Sequence, residues 1–430
     1  MSATGTGHAP HADATAEAQA LIAEARARTR RRRRRIALAV ACAAALAVGS
    51  LAAAGRFSGS PAGAGTRTAL PGAPASLAGP PRYFLDAPGG GGGYGWLEIR
   101  ASASGKLVAQ PRFPEDLHGY DPPYGLAATG PNSFVVGMMT PSDCSTQFFR
   151  LQVDDQGRPG ALTRFGPTLP GELVALTASA GGGLLGYAID DSGCNQSATS
   201  PGAYVGVLDV HSGRTTQWTQ GAHVNPLLDR IGQLSMSANG RLLAFTQSTG
   251  TPAHGGVSIT GMQVRVLPTD APPGTVAQRS RVVARTSTAF SGFGATSVLL
   301  SPSGTSFYLC SEPMTFPPTG SSKVVETARV VAFRTATGKQ GGVIAAFSLS
   351  FTPPRGVSYH SPSVGCGGMA LDPSGRFLLV PYQDVPLNMK TDNSATVVGG
   401  AVINTATGAR STWTLHFGTG TMPSWSDVAW

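Results

Sequence analysis

Four cysteines, six histidines and a scatter of tyrosines and acids are the side chains beyond residue 100 that could do chemistry, and their spacing decides which chemistry is open. His118, His211, His223, His254, His360 and His416 stand far apart, and no two share a metal-ligand spacing. There is no G-x-S-x-G elbow, no H-E-x-x-H, no phosphate loop of the Walker type and no D-x-D-x-D-G calcium loop. Asp190-Asp191-Ser192-Gly193 reads as an acidic turn, and Gly89–Gly93 lacks the strand-to-helix setting of a phosphate cradle. The expectation is therefore no catalytic residue, no metal and no cofactor. Any site must be assembled by the fold from distant positions.

The fold is written in a repeat. One unit is a small or apolar strand, a Ser/Asp-Pro/Ala-Ser/Asn-Gly turn and a strongly apolar strand: Leu234–Phe245, Leu299–Leu309 and Ala370–Val380, with weaker copies at Leu126–Gly137 and Leu176–Tyr187. The other is a hairpin with a glycine turn: Trp96–Ala109, Phe149–Phe165, Tyr204–Trp218, Val330–Phe347 and Ala401–Leu415, and a longer one at Met262–Arg285. The two alternate strictly. Four antiparallel strands in a period of roughly 50–70 residues predict the blades of a β-propeller. We name the strands A to D. There are six C–D hairpins and five complete A–B pairs, while Met422–Trp430 resembles a sixth strand A. That strand would join Tyr83–Ala87 and close the ring, leaving no free sheet edge. The fold class is all-β, a six-bladed (alternatively seven-bladed) propeller preceded by one transmembrane helix. A β-sandwich, the rival fold, does not account for the regular alternation.

In such a ring the A–B and C–D turns share one face and the B–C and D–A connections the other. The B–C connections read as long loops, roughly Met139–Gln147, Asp190–Ala203, Gln247–Ile259, Ser311–Lys323 and Tyr382–Val397. Long loops on a rigid scaffold are where binding usually sits. Their face would collect Tyr120, Asp121, Tyr124, His254, Glu312, His360, Tyr382 and Asp384 as binding residues. Cys144, Cys194, Cys310 and Cys366 fall on the same face in two neighbouring pairs. Because a disulfide needs Cα atoms within about 7 Å, the expected bridges are Cys144–Cys194 and Cys310–Cys366.

What precedes the repeats sets the location. Arg30–Arg35 run into twenty uncharged residues, Ile36–Gly55, enough helix to cross a bilayer core of about 30 Å. The arginines hold the preceding tail in the cytoplasm. The division is a cytoplasmic basic tail (1–35), a transmembrane helix (36–55), a Gly/Ala/Pro/Ser-rich linker (56–82) and an extracytoplasmic propeller (83–430). Against a cleaved signal peptide, 35 residues precede the apolar run, and the run exceeds a signal core of about 7–15 residues. The chain's net charge is +9, but residues 1–35 carry eight arginines against three acids, leaving +4 over the other 395 residues. That excess signals topology and anionic lipid, and no nucleic-acid partner is expected.

The turns in ALDPSGRFLL and LSPSGTSFYL resemble TolB-type and WD40-like propeller repeats. The whole plan (arginine run, alanine-rich span, PPRYFLDA, then the ASASG and TATG hairpins) is similar to single-pass membrane propeller proteins of actinobacteria, over about 80% of the chain. The WD dipeptide and GH of true WD40 blades are absent, so a seven-blade count does not carry over. The resemblance implies an interaction platform. The expected role is a binding module for a protein, peptide or cell-wall component at the outer surface of the cell membrane. The alternatives are a cell-surface propeller hydrolase and a signalling partner acting through residues 1–35.

Overall fold

The computed structural model describes residues 79–89, 97–113, 125–140, 144–190, 203–221, 231–253, 256–286, 297–311, 324–351, 365–366, 368–384, 396–417 and 424–430. All of them belong to the second of two units, Gly72–Trp430. The expected tail and span, and the expected linker as far as residue 78, lie outside the described residues; the linker's last residues, 79–82, are described, and the Arg82 carbonyl accepts from the Ser102 N–H at 2.9 Å. Among the described residues no helix is long and apolar enough to cross a membrane.

Six antiparallel sheets follow one another along the chain, which settles the blade count at six. Blade 1 is built from both ends of the domain: strand A is Ser424–Ala429, and B, C and D are Tyr83–Gly89, Glu98–Ala101 and Leu107–Ala109. Leu85 stands opposite Ala429 and Asp86 opposite Val428, so the closing strand pairs as the sequence predicts. Blade 2 is Gly125–Gly130, Ser133–Thr140, Ser145–Gln152 and Thr163–Pro170. Blade 3 is Glu172–Ala178, Leu184–Asp190, Tyr204–Asp209 and Thr215–Thr219. Blade 4 is Ile231–Met236, Leu242–Ala253, Gly256–Pro268 and Arg281–Thr286. Blade 5 is Val298–Leu300, Ser306–Ser311, Val324–Arg334 and Gln340–Phe351. In blade 6 strand A is broken into Gly365–Cys366 and Ala370–Leu371, followed by Phe377–Asp384, Thr396–Asn404 and Arg410–Phe417.

The B strands read as unbroken apolar runs because both of their faces are buried. In blade 4, Leu243 and Phe245 pack back on blade 3 while Ala244 packs forward on blade 5. In blade 6, Leu378 and Val380 pack on blade 5 and Leu379 on blade 1. The buried apolar residues accordingly form six clusters, one at each junction between neighbouring blades.

The turns explain why the repeat recurs. At the A–B turns, Ser179, Ser237, Ser301 and Asp372 each accept, through the side chain, the N–H five residues on, at 2.7–3.1 Å. At the C–D turns, Asp154, Asp209 and Asn404 accept N–H groups two to four residues on, at 2.8–3.1 Å. These bonds hold both carboxyls below their ordinary value, through the Arg158 N–H above all at Asp154 and the Ser212 and His211 N–H groups at Asp209. A lowered pKa means that this capping is present above the ordinary carboxylate range. It is lost only as pH falls through the lowered value.

Gly338, in the C–D turn of blade 5, has φ +66°, and a Cβ there would lie 1.8 Å from the Val283 carbonyl oxygen of blade 4. Gly213, in the C–D turn of blade 3, has φ +71° and open space around it. Gly213→Ala should cost about 1–2 kcal/mol, the left-handed backbone alone. Gly338→Ala should cost at least about 1 kcal/mol more, because a blade junction must also shift. Equal losses in denaturant titrations of the two variants would remove this close approach from the fold.

Several expectations are corrected. Met139–Gln147 is not a long loop: strands B and C pair as far as Thr140 opposite Ser145, and the two hydroxyls meet at 2.7 Å. Gln247–Ile259 is not a loop either. Its strands pair out to Ala253 opposite Gly256, a ribbon with a two-residue connection. The Tyr382–Val397 loop is trimmed by strand pairing that reaches Asp384 opposite Val397. Cys366 does not precede strand A of blade 6 but belongs to its first piece, opposite Tyr382. The long turn of the Met262–Arg285 hairpin is also structured. Gly274–Thr275 adds a fifth, parallel strand to blade 3, opposite Trp218 and Thr219. A short helix, Val276–Arg279, follows it behind a Thr275/Gln278 capping box.

Candidate functional site

Two concavities open on the face that carries the A–B and C–D turns, the turn face. The first is the axial mouth of the ring, lined by strand A or its turn from every blade, including Thr129, Ala180, Ala238, Pro302, Pro373 and Trp430. The turns lock to one another around it. The Ala180 N–H donates to the Ala238 carbonyl at 3.0 Å, and the Ala238 N–H to the Pro302 carbonyl at 2.9 Å. Pro302 has no N–H to continue the relay. One layer down, Leu300 N–H donates to Ser235 Oγ at 2.8 Å and Met236 N–H to Thr177 Oγ1 at 3.1 Å. The cavity measures about 130 Å³, below the roughly 300–1,000 Å³ of sites that enclose a small organic ligand.

The second concavity is a cleft of about 600 Å³ between blades 4 and 5. Leu242, Val266 and Pro268 of blade 4 make an apolar wall; Gln278, Arg279, Ser280 and Arg281 line it from the short helix and the start of strand D. Ser303, Gly304, Thr305, Thr335 and Ala336 supply the blade 5 side. Arg281 spans the junction, its two terminal nitrogens donating to the Thr335 and Ala336 carbonyls at 2.8 Å each. The local signal for this cleft was the long insertion at Thr269–Arg281, whose Pro/Gly composition reads as a plain loop.

The sequence assigns its binding positions to the opposite, loop face. Tyr120, Asp121, Tyr124, His254, Glu312 and His360 lie outside the described residues. Tyr382 and Asp384 sit at the loop-face end of strand B in blade 6, opposite Gly399 and Val397. Their side chains are not described. Cys194 also lies outside the described residues. Cys144 occupies the B–C turn of blade 2 with φ 50°, the one positive-φ residue other than glycine among the described residues. Cys310 is 1% exposed in the cluster between blades 5 and 6. The Asp190 end of the acidic turn closes strand B of blade 3 opposite Glu172. Two ribbons extend on this face. In blade 4, strands B and C run past the Ile231–Gln247 pair, where strand A begins, to Ala253 opposite Gly256. In blade 5, strands C and D run past the Ser311–Arg329 pair to Val324 opposite Phe351.

No protein-family model matches the chain, and no curated protein matches it. Among solved structures, a candidate 6-phosphogluconolactonase from Bacteroides uniformis aligns at 13% identity over 81% of this chain and 99% of its own, with a TM-score of 0.39. A variant of the Synechocystis apocarotenoid oxygenase aligns at 9% identity over 81% and 72%, with a TM-score of 0.40. Hsv2p from Kluyveromyces lactis aligns at 13% identity over 75% and 78%, with a TM-score of 0.28. Likenesses at these scores carry no argument for this chain.

Proposed function

We propose that this chain is a membrane-tethered, extracytoplasmic binding module, whose loop face captures a protein, peptide or cell-wall component. The observation that carries this reading is the pair of ribbons on neighbouring blades 4 and 5, which add strand length only on that face. Strands of 11–13 residues there contrast with 6–8 residues in the strands of blade 2. Ile36–Gly55 would be the tether, with Arg30–Arg35 inside and residues 56–82 as a stalk reaching at most about 90 Å at ~3.3 Å per residue. The test is capture of a crosslinked partner on intact cells. Alanine at Tyr120, Tyr124, Tyr382 and Asp384 should abolish capture, and alanine at the turn-face residues Asn239 and Ser374 should spare it. The reverse pattern would refute the choice of face.

An oxidising exterior goes with this reading, and we propose the bridges Cys144–Cys194 and Cys310–Cys366. Cys144 and Cys310 are both half-cystines, and no cystine has both halves among the described side chains. The packing of Cys310 against blade 6, and the place of Cys366 in the first piece of that blade's strand A, support the second pair. Each bridge closes a loop of roughly 50 residues and is expected to stabilise by about 2–4 kcal/mol. Non-reducing peptide maps should show those two links; a Cys194–Cys310 link would contradict them.

A further inference from the structure

The geometry points to the cleft between blades 4 and 5 as a binding site for a hydroxylated small molecule that carries one carboxylate or phosphate, such as an acidic or phosphorylated sugar. The site lies on the turn face, away from the surface proposed above, and does not depend on that reading.

Charge is the first observation. Among the described residues, Arg279 and Arg281 are the charged residues lining the cleft, and no acid lines it. Arg281 spends two of its five N–H donors on the Thr335 and Ala336 carbonyls, and Arg279 one on the Pro273 carbonyl at 3.3 Å. Arg281 is thereby fixed by two bonds and Arg279 tethered by one, and each keeps donors to spare for a carboxylate or phosphate. Behind them Arg265 donates to Ser280 Oγ at 2.8 Å. Burial, and then the neighbouring Arg285, hold its guanidinium below its ordinary value. An anion in the cleft would relieve that crowding of like charge.

The second observation is a break in the repeat. Thr269, Thr335 and Thr405 occupy equivalent positions, each donating its main-chain N–H to a residue just after the A–B turn glycine: Arg241, Thr305 and Arg376, at 2.9–3.0 Å. In blades 4 and 6 the threonine hydroxyl also donates to the turn glycine, Thr269 to the Gly240 carbonyl at 2.6 Å and Thr405 to the Gly375 carbonyl at 2.8 Å. In blade 5 that second bond is missing. Thr335 is 5% exposed, and its hydroxyl has no hydrogen-bond partner. A buried hydroxyl without a partner is uncommon and costly. This one belongs to a residue that lines the cleft together with Gly304, whose counterparts in blades 4 and 6 accept the bond.

Size and surface select the ligand class. About 600 Å³ suits a small molecule. Gln278, Ser280, Ser303 and Thr305 offer hydrogen bonds to hydroxyls, and Leu242 and Val266 offer an apolar wall to the carbon face of a sugar ring.

The test is calorimetry on the full-length chain in detergent micelles, with glucose 6-phosphate, glucuronate and uncharged glucose as probes. Both anions should bind and glucose should not. Arg279→Gln should weaken the anions by about tenfold or more, and Thr335→Val should also weaken them. Lys339→Gln, an exposed charge outside the cleft, should change nothing. Arg279 is exposed and does not bridge the blades, so its variant keeps the fold testable. Polygalacturonate binding more tightly per site than galacturonate would assign the site to a polymer, and equal binding to a free small molecule. The proposal is overturned if glucose binds as well as the anions, if Arg279→Gln and Lys339→Gln weaken binding equally, or if Arg279→Gln and Thr335→Val both leave it unchanged.

Discussion

Removing Ser424–Trp430 should abolish the cooperative unfolding transition of the propeller, and Trp430→Ala alone should lower its stability by about 3–5 kcal/mol. The deletion strips strand A from blade 1 and exposes the edge of Tyr83–Gly89, a template for association. Trp430 is 1% exposed, and its indole N–H donates to Ser102 Oγ at 2.8 Å and the Pro81 carbonyl at 3.3 Å. It thereby ties the last strand to the first hairpin across the whole sequence. The same junction holds Trp413, stacked on Phe84 with centroids 6.2 Å apart. Trp413 lies so close to Gly105 and Gly400 that a Cβ at either would come within 2.4 Å or less of its ring. Circular dichroism melts of both variants decide the matter. A deletion variant that still melts in one sharp transition near the parent midpoint would show that the ring does not depend on this closure.

Arg100→Met should cost about 3–5 kcal/mol, because it leaves two buried carboxylates without their shared cation. Asp86 is opposite Glu98 and Phe84 opposite Arg100 on neighbouring strands, so all four side chains share the face of blade 1 that meets blade 6. Asp86, Glu98 and Arg100 are 0%, 9% and 5% exposed. Arg100 Nε lies 3.4 Å from Asp86 Oδ2, one terminal nitrogen bonds Glu98 Oε2, and the other donates to the Gly105 carbonyl at 2.9 Å. Adding Glu98→Gln to Arg100→Met should recover part of the loss, since the neutral amide removes one stranded charge. A double variant no more stable than Arg100→Met would mean that lost packing, rather than buried charge, sets the cost.

The ring was legible because its signals are local and repeated. A serine or aspartate five residues ahead of the N–H it caps, a glycine in the turn, and an apolar run buried on both faces recur at Ser237, Ser301 and Asp372. The ribbons were not legible. Gln247–Ile259 holds glycines, a proline and a histidine, which locally favour a loop, and pairing with a long partner strand overrides them. The parallel pairing of Gly274–Thr275 with blade 3 joins residues more than fifty apart and leaves no periodic trace. The cleft likewise exists only because blade 5 packs beside blade 4. Asp86 did carry a signal, as a charge inside an apolar strand, but its place opposite Glu98 follows only from the register of the two paired strands.

The measurement that bears most directly on the proposed role is photo-crosslinking on intact cells, with one benzoylphenylalanine at Tyr382 on the loop face or at Lys106 in the C–D turn of blade 1. An adduct from Tyr382 and none from Lys106 is predicted. An adduct from Lys106 alone, or from neither position, would contradict binding through the loop face.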